Sequence, residues 1–232
     1  APVQSRVMAD PRPDTLPEPD RLEGAPHPRE TGVLYGHAAQ ESDILQAFNS
    51  SRLHHAWMLT GPKGVGKATL AWRAARFLLA TPEDDGGMFA APAPDTLDIP
   101  AENPVSRRMR QLAEPRNFLL RRGPNDKETA LSQVISVDEV RKMKSFFALS
   151  AADGGRRTAI IDSLDEMNTA AANALLKLLE EPPANVTLFL VAHQPAKLLP
   201  TIRSRCRELR LTPLTPQDLA DALTQAGGDI AP

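Results

Sequence analysis

The stretch GPKGVGKATLA at residues 61–71 constrains the fold of this chain more than any other. The apolar run AWMLT precedes it, and KATLAWRAARFLLA, with apolar residues at helical spacing, follows it. A buried strand, a glycine turn and a long helix are therefore expected in succession. In that setting the stretch comes close to the phosphate-loop motif G-x-x-x-x-G-K-[ST]. The motif's glycines and lysine match, but Ala68 stands at the Ser/Thr position and a hydroxyl arrives only at Thr69.

The loop is suited to an anion, but it lacks a metal ligand. Glycines let backbone N–H groups turn toward a pyrophosphate, and Lys67 adds a positive charge beside them. The missing hydroxyl is the one that binds Mg²⁺, and Thr69 cannot replace it because one further residue turns a side chain by about 100° around the helix. ATP, ADP, phosphate or sulfate is a suitable occupant, and the alternative is a glycine turn without any ligand. The candidate binding residues are Gly61, Gly64, Val65, Gly66, Lys67, Ala68 and Thr69.

A second candidate binding residue, Asp162, follows the apolar strand pattern RTAII. An acid at the end of such a strand holds Mg²⁺ in NTPases with this loop, and in many of them a Glu follows directly and positions the attacking water. Ser163 stands at that position here. The two departures, Ala68 and Ser163, weaken the same hydrolysis chemistry and leave phosphate binding intact. The alternative interpretation makes Asp162 an acid that caps the next turn.

Alternating strand and helix patterns predict an α/β fold, with a parallel sheet covered by helices on both faces. Residues 1–31 carry many prolines among charges and few large apolar side chains, so we expect a disordered, mobile tail. Residues 81–104 hold five prolines and a Gly-Gly pair, which predicts a mobile or irregular insertion. The main domain is therefore expected at residues 32–211. Residues 212–232 begin a separate helical unit, because LTPQDLADALTQAGG carries the start and stop signals of a helix.

Composition and charge exclude several classes of partner. A net charge of −2 provides no global attraction for nucleic acid or for an anionic membrane. Cys206 is the single cysteine, so neither an internal disulfide nor a cysteine zinc cluster can form, and no zinc is expected. Because no apolar run approaches the length of a membrane span, we expect a soluble, cytoplasmic protein without a membrane partner. Residues 107–122 carry six arginines against one glutamate, which either contact DNA phosphates or form a solvated face.

Three segments together resemble one known family: LHHAWMLTGPKGVGKATLA, MNTAAANALLKLLEEPP and LLPTIRSRCRELRL. They are similar to the delta-prime subunits of the bacterial DNA polymerase III clamp loader, over about residues 35–222. The resemblance implies a P-loop NTPase fold of the AAA+ type, a three-layer sandwich followed by the start of a small helical lid. It also implies that the chain stops before the collar domain that assembles the pentamer.

The resemblance implies a part in DNA replication. Clamp loaders are AAA+ pentamers that open the sliding clamp and place it on primed DNA, and their motor subunits hydrolyse ATP. Delta-prime subunits are rigid partners, or stators, that do not hydrolyse ATP. Ala68 and Ser163, which weaken hydrolysis, are consistent with such a subunit. The implied partners are the gamma/tau and delta subunits, the sliding clamp and, through the assembly, primed DNA. The chain would be a component of the DNA-directed DNA polymerase (nucleotidyltransferase) holoenzyme, with no ATPase activity of its own and no required cofactor.

The family's Ser-Arg-Cys motif falls on Ser204, Arg205 and Cys206. In the family this arginine reaches, in trans, the ATP of a neighbouring motor subunit, where a guanidinium neutralises charge on the transferred phosphate. The alternative is one surface arginine among several. His193 ends a predicted strand, where AAA+ proteins usually have a polar sensor residue; packing is the alternative. The chain departs from many relatives in having no cysteine or histidine in residues 81–104, where they carry a four-cysteine zinc module.

Two rival functions use the same loop. An active AAA+ ATPase, such as a clamp-loader motor subunit, would show steady-state ATP turnover by the isolated chain. A small-molecule kinase would need an acceptor pocket and a lid with catalytic arginines, and no such pattern stands out in the sequence.

Overall fold

The computed structural model describes residues 16–22, 24–82, 92–125, 127–149 and 155–227. Its centre is a five-stranded sheet in the order β2-β3-β4-β1-β5, in which every pair of neighbouring strands is parallel. The strands are β1 (Ala56–Thr60), β2 (Asn117–Leu120), β3 (Arg157–Ile161), β4 (Val186–Ala192) and β5 (Arg207–Arg210). The helices are α1 (Ala38–Asn49), α2 (Lys67–Ala80), α3 (Pro104–Arg110), α4 (Val137–Leu149), α5 (Thr169–Glu180), α6 (Pro200–Arg203) and α7 (Pro216–Gln225).

Alternate residues along the strands build two separate cores, one on each face of the sheet. Trp57 and Leu59 of β1 belong to the core shared with α1, α2 and α3. Ala56 and Met58 of the same strand belong to the core shared with α4, α5 and α6. Because side chains of a strand alternate between the two faces, strands buried on both sides must be apolar throughout. The predicted α/β three-layer sandwich is confirmed.

The carboxyl ends of three neighbouring strands bring the predicted site residues to one edge of the sheet. The glycine loop follows β1, Asp162 follows β3, and His193 follows β4, which lies between them. In parallel sheets this edge is where ligands bind. Residues that are about 100 positions apart in the sequence thus meet at one place.

The predicted disordered tail is wrong for its second half. Residues 1–15 lie outside the described residues, but residues 16–22 and 24–31 pack on the domain. His27 and Arg29 are buried there. Composition misled the prediction because this segment is held by ion pairs and hydrogen bonds to distant arginines rather than by an apolar core of its own.

The described part of the insertion, residues 92–103, contains neither helix nor strand, and residues 83–91 lie outside the described part. It is nevertheless attached to the domain, since Leu97 is buried in the core beside α2. The carboxylate of Asp98 also accepts from Arg73 at 2.6 Å.

Beyond β5 lies the predicted helix α7, which begins with the Thr215 hydroxyl accepting from the backbone N–H of Asp218. No helix in the described ranges combines the length and the apolar character that crossing a membrane requires.

Candidate functional site

The glycine loop has a backbone that only glycines adopt without strain. Gly61, Gly64 and Gly66 have φ angles of +140°, +86° and +103°, in the region that other residues rarely occupy. A Cβ atom at Gly61 would also lie 2.2 Å from the carbonyl oxygen of Leu211. The loop therefore needs these glycines for its shape, and residues at the start of α2 line an adjoining cavity.

Lys67 is turned into the loop itself. Its side chain is buried, and its ammonium donates to the carbonyl oxygens of Gly61, at 2.7 Å, and of Pro62. Burial lowers the pKa of Lys67 to about 8, while the carboxylates of Asp162 and Asp165 oppose the decrease. The ammonium is thus mostly charged at neutral pH, but its contact with a phosphate requires that it exchange these carbonyls for phosphate oxygens.

His37 contacts the phosphate loop, and no sequence motif indicated this contact. Its Nε2 atom lies 2.7 Å from the carbonyl oxygen of Val65, and its ring is buried. His37 also occupies the N-cap position of α1. The first helix and the phosphate loop are therefore joined through one imidazole.

A cavity of about 620 Å³ lies against the loop, within the range of small-molecule sites. Of the predicted binding residues it is lined by Gly64, Gly66, Lys67, Ala68, Thr69 and Asp162. Gly61 and Val65 line neighbouring cavities instead. Ser163, Glu166 and His193 complete the cavity on the sheet side. The structure thus brings together the residues that the motif and the strand end predicted separately.

The groups that hold Mg²⁺ in the phosphate-loop motif are altered in this cavity. Ala68 offers no oxygen at the position where the motif has a hydroxyl. Burial raises the pKa of Asp162 to about 7, and the negative charges of Asp20 and Glu166 add to the rise. Because a hard cation binds ionised oxygens, this rise in pKa opposes metal binding at Asp162. The backbone cradle, in contrast, needs neither group.

His193 lies at the sensor position beside the cavity, held there by its backbone. The carboxylate of Asp165 accepts from the backbone N–H groups of His193, at 2.5 Å, and of Gln194, at 2.8 Å. Burial lowers the pKa of His193, with the charge of Lys67 adding to the effect. Its buried Nδ1 has no hydrogen-bond partner among the described residues. The ring is therefore neutral near pH 7 and has a free polar atom, so both interpretations of His193 stay open.

A second, smaller cavity of about 160 Å³ adjoins the loop on the side of α7. It is lined mainly by apolar groups, among them Val33, Leu34, Tyr35, Leu214 and Ala222. The Gln225 amide closes this side, because it both accepts from the backbone N–H of Val33 and donates to its carbonyl, each at 3.0 Å. This volume is too small for a whole drug-sized ligand, and no sequence motif indicated it.

Arg205 lies two residues beyond the end of α6, outside the lining of the phosphate-loop cavity. Its guanidinium is 2.9 Å from a carboxylate oxygen of Glu180, at the end of α5, and 2.9 Å from the carbonyl oxygen of Thr201. About 35% of its side chain is exposed. Burial raises the pKa of the adjacent Cys206 thiol to about 12, which leaves that group un-ionised and unreactive. The arginine is held on the surface, not within its own chain's site.

Most arginines of residues 107–122 are engaged within the chain. Arg108 and Arg116 both pair with the buried carboxylate of Glu114. Arg121 pairs with Glu18 and Asp20. Further in-chain contacts join Arg110 to the carbonyl of Ala101, Arg122 to Glu166, and Arg116 to the carbonyl of Leu79. This pairing reduces the positive charge that the segment presents to a nucleic acid.

Known proteins share both the sequence and the fold of this chain. The family model described as DNA polymerase III, delta subunit, matches residues 36–215. A DNA polymerase III subunit delta' from Pseudomonas aeruginosa is 38% identical over 154 residues, which are 66% of this chain and 41% of that protein. A DNA polymerase III subunit gamma from Buchnera aphidicola is 27% identical over 181 residues, 78% of this chain and 44% of that protein.

Solved structures agree on the architecture. The crystal structure of a DNA polymerase III gamma subunit-related protein from Thermotoga maritima matches with a TM-score of 0.51 and 20% identity, over 81% of this chain and 51% of that one. The chain therefore has a P-loop fold of the AAA+ type. It spans only about half the length of the relatives that it matches.

Proposed function

Since the chain belongs to the DNA polymerase III delta subunit family, we propose that it acts as the delta-prime-type stator of a clamp loader. In this role it does not hydrolyse ATP, and it supplies Arg205 to the ATP site of a neighbouring gamma/tau motor subunit. Its partners are the gamma/tau and delta subunits and the sliding clamp, and primed DNA is reached through the assembly.

The residues that line the phosphate-loop cavity are the main support for a subunit that does not hydrolyse ATP. Ala68 and Asp162 line it together, the first without a hydroxyl and the second with a pKa raised to about 7. Hydrolysis in P-loop NTPases needs a metal ion held by the loop hydroxyl and an ionised acid, and a residue that positions water. Ser163, which follows Asp162, is buried and carries no carboxylate. The cavity therefore supports binding of an anion without supporting its hydrolysis.

The position of Arg205 supports a role outside its own chain. It is absent from the cavity lining, so it cannot serve the loop at Gly61–Lys67 of the same chain in this arrangement. It is partly exposed, and its planar fork is already held by Glu180 and Thr201. A guanidinium held in one orientation loses less entropy when it meets a phosphate.

The isolated chain is expected to hydrolyse ATP negligibly. Its turnover with Mg²⁺ should not exceed the rates of unaided P-loop NTPases, on the order of 10⁻⁴–10⁻³ s⁻¹. Ala68→Thr restores only the loop hydroxyl, and we expect no rescue while Ser163 remains. Phosphate release from ATP measures both. Robust turnover by the unmodified chain would instead favour the rival function of an active motor subunit, to which the gamma relative and the intact glycine loop point.

Assembly tests the partner assignment directly. The full-length protein, purified with an affinity tag, should retain gamma/tau and delta subunits and should be required for loading a sliding clamp onto primed DNA. A protein that hydrolyses no ATP and also fails to join these subunits would contradict the stator assignment.

A further inference from the structure

Residues 16–22, which we call the strap, lie across the phosphate-loop cavity. Pro19, Asp20, Arg21 and Leu22 line the same cavity as the loop and α2. Lys67 and Asp162 line it as well. The phosphate-binding surface of the loop thus shares its cavity with a segment of its own chain.

Ion pairs hold the strap in place. Both carboxylate oxygens of Glu18 accept from the guanidinium of Arg29, at 2.7 and 3.0 Å, and Arg121 adds a contact at 3.2 Å. Bidentate pairs of this kind are the stronger and more directional ones.

Asp20 makes the deepest contact of the strap. Its side chain is 1% exposed, pairs with Arg121 and lies 3.1 Å from Nε2 of the fully buried His27. Although burial alone would raise the pKa of Asp20, the His27 hydrogen bond and the Arg121 charge lower it below its ordinary value. The strap therefore places an ionised carboxylate in the cavity.

The groups that hold the strap are themselves anchored to the core of the domain. The carbonyl oxygen of Arg29 accepts from Arg76 of α2 at 2.7 Å, and Nε of Arg29 donates to the carbonyl of Arg110 at 3.0 Å. The His27 ring packs edge-on against Trp72, with centroids 5.9 Å apart. Arg121 follows β2 directly. The residues that hold the strap are thus fixed by the domain, so the position of the strap is determined by the fold and not by local chain preference.

The strap and a nucleotide compete for one place. A polyphosphate on the loop would carry its negative charge into the cavity that Asp20 lines, and like charges at short range repel each other. Lys67 would also have to leave the carbonyls that it now contacts.

We propose that the strap is an autoinhibitory segment that closes the phosphate loop and must move aside before a nucleotide enters. The stator proposal does not depend on the strap, since a stator needs no nucleotide in its own loop. Failure of one proposal would therefore leave the other intact.

Two variants of the full-length protein release the strap by different routes. Arg121→Ala removes the arginine shared by Glu18 and Asp20, and the double variant Glu18→Gln/Asp20→Asn removes the strap's negative charges while retaining side-chain volume. The probe is mant-ADP in EDTA, followed by fluorescence anisotropy. Because the apparent affinity scales with the fraction of open molecules, we expect both variants to bind about tenfold more tightly, or better, than the unmodified protein.

Two control variants test whether the gain in mant-ADP affinity comes from releasing the strap and arises at the phosphate loop. Arg141→Ala breaks an exposed pair with Asp138 on α4 and should leave the affinity unchanged. Lys67→Ala added to Arg121→Ala should abolish the gain if binding occurs at the loop. Hydrogen exchange of residues 16–22 should speed up when saturating pyrophosphate is added to the unmodified protein.

The proposal is overturned if both strap variants bind mant-ADP no better than the unmodified protein, whether that binding is tight or undetectable. It is equally overturned if pyrophosphate saturates the loop while exchange in residues 16–22 stays unchanged. If Arg121→Ala fails to fold, the double variant alone tests the proposal, since it keeps both Arg29 and Arg121.

Discussion

Replacing Arg205 with alanine is expected to slow ATP hydrolysis in the assembled clamp loader while leaving the folding of this chain nearly intact. Arg205 contacts Glu180 and Thr201 at the surface, so its removal leaves no cavity in the core. Partly exposed ion pairs of this kind contribute only about 0–1 kcal/mol to stability. A large loss of turnover in the complex would therefore reflect lost chemistry in the neighbouring subunit and not a misfolded stator.

The size of the effect depends on which step is measured. Arginine fingers in other phosphoryl-transfer systems contribute roughly 10³–10⁵ in rate. Only the one ATP site that faces this subunit loses its arginine, so steady-state turnover of the complex should decrease by a smaller factor. Single-turnover hydrolysis by complexes with one competent motor site should show the full decrease. Arg205→Lys should rescue poorly, because an ammonium cannot reproduce the planar fork.

Glu180 and Arg210 provide the comparisons. Arg210→Ala removes an exposed arginine of β5 and should change little. Glu180→Gln keeps the size of the side chain but weakens the pair that orients Arg205, so an intermediate decrease is expected. If complexes with Arg205→Ala load clamps and hydrolyse ATP at the normal rate, Arg205 is one surface arginine among several, and the finger assignment is wrong.

The architecture could be predicted from the sequence because it depends on local patterns. Strands buried on both faces are largely apolar, as β1 and β4 are, whereas β3 has its apolar residues only after the buried Arg157 and Thr158. The phosphate loop could be located for the same reason, since its glycines are required by positive φ angles within six residues of one another. Element order and fold class therefore followed from information that each segment carries by itself.

The parts that were missed depend on contacts between segments far apart in the sequence. The composition of the strap predicts disorder, because composition does not show which partners its charges find. Those partners are Arg29 and Arg121, and Arg121 is more than 100 residues from Glu18. His37 and Asp165 support the site through backbone atoms, and a hydrogen bond to a backbone carbonyl or N–H leaves no residue pattern. Only the folded arrangement shows these contacts.

Asp162 illustrates how the folded arrangement changes the chemistry of a correctly located residue. The sequence placed an acid at the end of β3, which suggested an ionised ligand. In the fold, burial and the charges of Asp20 and Glu166 raise the pKa of Asp162 from its ordinary 3.8 to about 7. Since the folded protein binds a proton that the unfolded chain releases, stability should decrease as the pH rises from about 4 to about 7.

Asp162→Asn should therefore stabilise the protein, and should do so more at high pH than at low pH. A pKa raised from 3.8 to about 7 corresponds to roughly 4 kcal/mol once the carboxyl is fully ionised. Because part of Asp162 still faces the cavity, we discount this figure for solvent screening. We expect the stability difference between variant and unmodified protein to widen by about 2 kcal/mol between about pH 5 and about pH 8.5. Urea unfolding at both pH values measures it, with the exposed Asp138→Asn as a control whose effect should not change with pH.

A destabilising Asp162→Asn would instead indicate that Asp162 is ionised in the folded protein. An ionised Asp162 that pairs usefully with Lys67 would make Asp162→Asn destabilising, and increasingly so as the pH rises. The acid would then be ready to hold a magnesium ion, and the absence of a hydroxyl at Ala68 and of a carboxylate at Ser163 would be the only barriers to hydrolysis. A stabilising Asp162→Asn instead indicates a carboxyl group that the fold keeps protonated, as expected of a phosphate loop that no longer uses a metal ion.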